Sequence, residues 1–141
     1  MSPVNRGTAA AAGVLLSCAL LALPVCNALF DCGCSWPWSG GLDHCNIRRA
    51  EAKHHCPWCA HGGLGMASFG AAAVAGAAVA WRGDRRSRLP ENPGRAGGEK
   101  GRTGTGDLIV RVLAGIGVFL VISLVAGWLT ALAAGYPHFL F

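Results

Sequence analysis

The chain has 141 residues, 52% apolar and only 13% charged, with a formal net charge of +5. Soluble domains carry about 25% charged residues, so this balance excludes an ordinary water-soluble fold, and the length leaves room for one compact unit. The basic excess is no nucleic-acid footprint: seven of the twelve Lys and Arg lie between Arg82 and Arg102, beside two apolar runs, where the positive-inside rule explains them.

Between Thr8 and Phe30, Gly62 and Trp81, and Leu108 and Gly135, the only charged residue is Arg111. Each run reaches the roughly 20 residues that a helix needs to cross hydrocarbon. The expected fold is an all-α membrane protein, three transmembrane helices with an extracytoplasmic Cys/His-rich loop. The N-terminal segment and first helix take 1–30, the loop 31–61 and the second helix 62–81. A basic flexible linker takes 82–107, the third helix 108–135 and an aromatic tail 136–141.

The first run, TAAAAGVLLSCALLALPVCNALF, follows MSPVNRG. It is longer than the apolar part of a signal peptide and has no small-x-small cleavage site before Asp31, so an uncleaved helix is expected. Pro24 is expected to bend or loosen its last turn.

The loop that follows reads DCGCSWPWSGGLDHCNIRRAEAKHHCPWCAH. It holds Cys32, Cys34, Cys45, Cys56 and Cys59 with His44, His54, His55 and His61: five of the seven cysteines and four of the five histidines. Cys32-x-Cys34 lies at the foot of the first helix and Cys56-x-x-Cys59 at the foot of the second. Neighbouring helices pack about 8–10 Å apart, so the bundle itself brings the two pairs together. Four cysteines, or a Cys/His mixture, are what structural zinc takes, and soft thiolates also suit Cu(I). Cys32, Cys34, Cys56 and Cys59 are the first expected ligands; Cys45 and the four histidines are candidates to substitute or support them. Disulfides compete, because an outer loop sits where cysteines oxidise. Cys26, at the end of the first run, could pair with the fifth loop cysteine. Histidines, which disulfides do not need, favour zinc or copper.

Other chemistries fit less well. Covalent haem needs Cys-x-x-Cys-His, and Ala60 stands before His61. CPWC is similar to glutaredoxin-type motifs, but those open a helix in a larger βαβ domain. A membrane thiol–disulfide oxidoreductase using Cys56 and Cys59 is the remaining catalytic alternative. HHCPW resembles the Asp-His-His-Cys signature of protein palmitoyltransferases over five residues, with Lys53 in place of the aspartate. Trp36, Trp38 and Trp58 are expected at the headgroup layer or over the loop's small core.

The second run, GGLGMASFGAAAVAGAAVAW, has few large side chains and is the weakest span. Small residues recur every fourth position, Ser68, Ala72, Gly76 and Ala80 on one row and Ala67, Ala71 and Ala75 on the next. This spacing lets another helix approach closely, from within the chain or from a partner subunit of a membrane complex. The segment Arg82–Asp107 lacks a phosphate-loop pattern.

The third run, LIVRVLAGIGVFLVISLVAGWLTALAAG, is strongly apolar. Arg111, a turn inside its start, is expected to snorkel to the interface. Tyr136, His138, Phe139 and Phe141 suit the opposite headgroup region. No Asp or Glu lies within these runs, which removes the proton relays of pumps. Charge then sets the expected orientation in the plasma (inner) membrane. The N-terminus and basic linker, with eight Lys and Arg, are cytoplasmic; the loop, with Arg48, Arg49 and Lys53, is outside. The chain reads as a metal-binding membrane protein or a disulfide-stapled assembly subunit sooner than as an enzyme.

Overall fold

Alanine, leucine and valine dominate the three runs, and a backbone shielded from water must bond to itself, which makes the helix their natural form. In a computed structural model of the chain, α1 spans Val4–Phe30, α2 Pro57–Ala60, α3 Gly62–Arg86 and α4 Thr105–Ala134, with a 3₁₀ turn at Pro37–Ser39. The structure describes residues 4–40, 43–45, 48, 50–51, 55–86 and 105–136. His54, most of the basic linker, and His138, Phe139 and Phe141 of the expected aromatic tail lie outside these residues.

Three helices are long and apolar enough to cross a membrane: Arg6–Phe30, Gly62–Arg82 and Thr105–Ala134, with mean hydropathies of 2.2, 1.6 and 2.7. The middle one is the least apolar, as its Ala/Gly content implies. Helix α1 continues through Pro24 to Phe30. Helix α4 starts before the apolar run, so Asp107 lies in its first turn and meets Arg111 one turn on, at 2.6 Å. Arg111 is therefore neutralised by a carboxylate on its own helix and largely shielded, where snorkelling alone was expected. The Asp also suits the positive N-terminal end of the helix dipole.

The helices run up, down and up. Val14 of α1 lies against Gly76 of α3 and Gly115 of α4. Phe69 stacks on Phe119 at 6.1 Å, and Tyr136 reaches Phe30. The buried row of α4 is Gly115, Phe119, Ser123, Gly127 and Ala131, four residues apart throughout. Its counterpart on α3 runs through Ala72, Gly76 and Ala80, while Ala67 and Ala71 face outward. The first small-residue row is thus occupied by the chain's own helices. Large apolar residues such as Leu16, Val74, Leu113 and Leu132 point away from the bundle, as side chains in contact with lipid do.

Glycine is required where α3 crosses α4. A Cβ on Gly76 would collide with the Gly115 carbonyl oxygen, and one on Gly115 would lie 2.6 Å from Val14 Cγ2. Gly76→Leu is expected to force the helices apart and destabilise the bundle by about 1–3 kcal/mol. Thermal unfolding in detergent, followed by circular dichroism, measures this; Gly70→Leu is the matched control, since a Cβ there meets nothing within 4 Å.

Candidate metal centre

The end of α1 begins the site. Its last turn carries Cys26, on the same inward row as Val14 and Cys18 and one turn before Phe30, so the sulfur is buried inside the bundle. The chain then leaves the helix through Asp31, whose φ of 44° is left-handed, a conformation that Asp and Asn tolerate better than most residues. Asn27 holds this exit twice. Its carbonyl accepts the Asp31 N–H at 2.8 Å and its side-chain oxygen accepts the Gly33 N–H at 2.7 Å. Cys32 and Cys34 are turned back over the helix end as a result.

Gly33 has a second role. Its φ is +77°, and a Cβ there would lie 2.5 Å from the His44 carbonyl oxygen. After Ser35 the chain enters the 3₁₀ turn, where the Ser39 N–H meets the Trp36 carbonyl at 2.8 Å, and the Asp43 N–H meets the Gly40 carbonyl at 2.9 Å. The His44 carbonyl lies directly on Gly33, and Cys45 follows it to the sulfurs. Gly33 between two cysteines is therefore a seat for the residues that carry the next cysteine.

The second arm is one helical turn. Cys56 caps α2 with Pro57 at its first position, and its carbonyl accepts the N–H groups of Cys59 at 3.1 Å and Ala60 at 2.8 Å. This turn places Cys56 and Cys59 on one side, and the Cys59 N–H is also directed at the Cys56 sulfur. Gly65 in the first turns of α3 lets the Trp58 backbone approach, since a Cβ there would lie 2.7 Å from its carbonyl oxygen.

Six sulfurs meet at this end of the bundle. Cys26 Sγ lies 3.6 Å from Cys32, 3.5 Å from Cys56 and 4.0 Å from Cys59; Cys32 lies 3.3 Å from Cys34, and Cys45 lies 3.6 Å from Cys59. Five of the six are at most 3% exposed, and Cys59 is partly open. None of the seven cysteines is disulfide-bonded, since no pair is near the roughly 2.05 Å of a disulfide. The Cys26 thiol, with Cys34, Cys56 and Cys59 behind it, holds Cys32 well below the usual thiol range. Cys34 and Cys56 are also lowered, each chiefly by Cys26, while burial opposes the shift. A crowded set of sulfurs can keep thiolate among them because neighbouring S–H groups donate to it.

An aromatic layer closes the site. Phe30 meets Trp58 edge-to-face at 5.2 Å and Tyr136 at 5.6 Å, and Trp58 meets Phe69 at 4.6 Å. The Tyr136 hydroxyl donates to the Phe30 carbonyl at 2.9 Å, tying the end of α4 to the end of α1. Tyr136 is thus a wall of the sulfur site, beyond the headgroup role expected of it. Trp58 is buried with it, whereas Trp36 and Trp38 are exposed and stack on each other at 5.0 Å.

Of the expected ligands, Cys32, Cys34, Cys45, Cys56 and Cys59 come together. His44, His55 and His61 are exposed and belong to neither four-ligand group found among the described residues. Cys26 is the ligand candidate absent from the expected set, because it lies within an apolar run where cysteine is an ordinary packing residue. Its signal was position: one turn from the helix end, on the inward row. Compared with protein families, with curated proteins and with solved structures, the chain matches none, so its function is argued from this geometry.

Proposed function

We propose that the chain is a small multi-pass membrane protein that binds zinc or copper through its buried cysteines, as a binding module or accessory subunit of a membrane complex. The observation that carries this reading is the convergence of six sulfurs, from α1, the loop and α2, at one end of a three-helix bundle. All-sulfur sets suit zinc and Cu(I). A catalytic ion keeps an open position, whereas each candidate set here offers four sulfurs, the number of a closed structural site. In this reading His44, His55 and His61 hold no first coordination position. A loop with little apolar core of its own gains its order from the metal.

Charge supports an orientation. The sulfurs lie where α1 ends and α3 begins, while Arg6 and Arg82 lie at the far ends of those helices. Placing the basic end and the 82–107 linker in the cytoplasm puts the sulfur end outside, and lipid covers the outward apolar faces.

Protein purified in mild detergent is expected to carry stoichiometric zinc or copper by elemental mass spectrometry, and to release at least four reactive thiols on chelation. Metal-free protein with its loop cysteines oxidised to disulfides would replace this reading with a stapled assembly subunit. Reversible Cys56–Cys59 oxidation coupled to a quinone would replace it with a thiol oxidoreductase. For orientation, a membrane-impermeant thiol reagent applied with a chelator should label intact cells; labelling only after lysis reverses the assignment.

A further inference from the structure

The six sulfurs do not form one shell. They fall into two sets of four, Cys26, Cys32, Cys56 and Cys59 in one and Cys32, Cys34, Cys45 and Cys59 in the other, with all sulfurs of a set within 4.8 Å of one another. Cys32 and Cys59 belong to both sets. Four thiolates about 2.3 Å from a tetrahedral ion stand about 3.8 Å apart along each edge. Five of the sulfur contacts run from 3.3 to 4.0 Å. Every other edge of the two sets, the Cys32–Cys59 edge included, lies within 4.8 Å, so each set needs only a modest contraction to become one tetrahedron. Two tetrahedra with two corners in common share an edge.

Resting on the metal-binding reading above, we infer that the centre is binuclear: two divalent ions of the zinc class share Cys32 and Cys59 as bridging thiolates. The inner ion takes Cys26 and Cys56 as its own ligands, and the outer ion takes Cys34 and Cys45. Each arm then has a defined part. The helix end and the cap of α2 serve the inner ion, Cys34 and the segment seated on Gly33 serve the outer one, and the Cys32/Cys34 and Cys56/Cys59 pairs supply one bridge each.

Electrostatics favours two ions over one. A single divalent ion held by four thiolates carries two excess negative charges. Two such ions on six thiolates carry the same total, which halves the excess per ion and uses all six sulfurs. Beside an apolar bundle, where uncompensated charge is expensive to bury, the second ion converts two further buried thiols into ligands without adding net charge. Binding of each ion releases the protons of the thiols it engages to solvent, and no oxidant or reductant is involved.

The test uses the full chain in mild detergent, stripped of metal under reducing conditions and titrated with Co(II), with zinc content measured in parallel. Thiolate-to-cobalt charge-transfer absorption is expected to rise until two ions per chain are bound. The cobalt spin signal should fall, relative to the amount bound, as the second site fills, because bridging thiolates couple the two ions magnetically. With ¹¹³Cd, two resonances are expected, with the β-protons of Cys32 and Cys59 correlated to both. The Cys34→Ser/Cys45→Ser double variant should retain one ion, and Cys32→Ser/Cys59→Ser should retain none. Saturation at one ion per chain, or two ions without magnetic coupling, overturns the shared-edge centre while leaving a metal site in place. Exclusive loading by Cu(I) with more than two ions per chain also overturns it, in favour of a polynuclear copper cluster. Failure to bind any ion removes the metal-binding reading itself.

Discussion

Cys26→Ser is expected to weaken metal binding by about a hundredfold, although Cys26 lies inside an apolar helix, outside the cysteine-rich loop. Structural zinc sites gain about 10–16 kcal/mol over four ligands, or about 3 kcal/mol per ligand, and each 1.4 kcal/mol is tenfold in affinity. Cys26 contacts Cys32, Cys56 and Cys59 at 3.5 to 4.0 Å. Competition with a chromogenic chelator measures the change. Cys18→Ala is the control: Cys18 lies on the same row of α1 but packs in the apolar cluster around Val14, Ala72 and Phe119, and its loss should leave affinity unchanged. Equal affinity for Cys26→Ser and the unaltered protein would remove Cys26 from the centre.

Gly33→Val is expected to damage the site without touching a ligand. A β-branched residue at φ +77° bears the left-handed penalty of about 1–2 kcal/mol. The contact of its Cβ with the His44 carbonyl adds overpacking of about 1–3 kcal/mol. The relief available is to push residues 43–45 away, which withdraws Cys45 from Cys59. Cys45 should then become reactive toward a small thiol reagent while Cys26 stays protected, as mass spectrometry of the labelled peptides would show. The helices should be unaffected in far-ultraviolet circular dichroism. An unchanged Cys45 labelling rate would mean that the Gly33–His44 approach does not seat this segment.

The three long apolar helices were legible because they depend on composition alone. Twenty or more residues with no charge except Arg111 have one stable form in hydrocarbon, and the packed row of α3 could be read from small residues spaced four apart. The meeting of Cys32 and Cys34 with Cys56 and Cys59 was also legible, since antiparallel helices must bring the feet of adjacent spans together. The role of Asp107 was not, because the apolar run begins after it, and an ion pair one turn apart depends on where the helix starts. The contact of Tyr136 with Phe30 was not legible for a similar reason: an aromatic at a span terminus can meet a neighbouring helix end as well as the lipid interface, and only the fold brings Phe30 within its reach.

By itself, then, the sequence determined three helices long and apolar enough to cross a membrane, with most of the cysteines gathered at one end. The tertiary structure decided which side chains enter the site. It drew in Cys26 and Cys45, left His44, His55 and His61 exposed, and divided six sulfurs into two sets that share Cys32 and Cys59. The physical reason is reach. Helix periodicity and span length act between neighbours in the chain, whereas a shared sulfur edge depends on how a helix end, a glycine-seated return and a proline-capped turn meet in space.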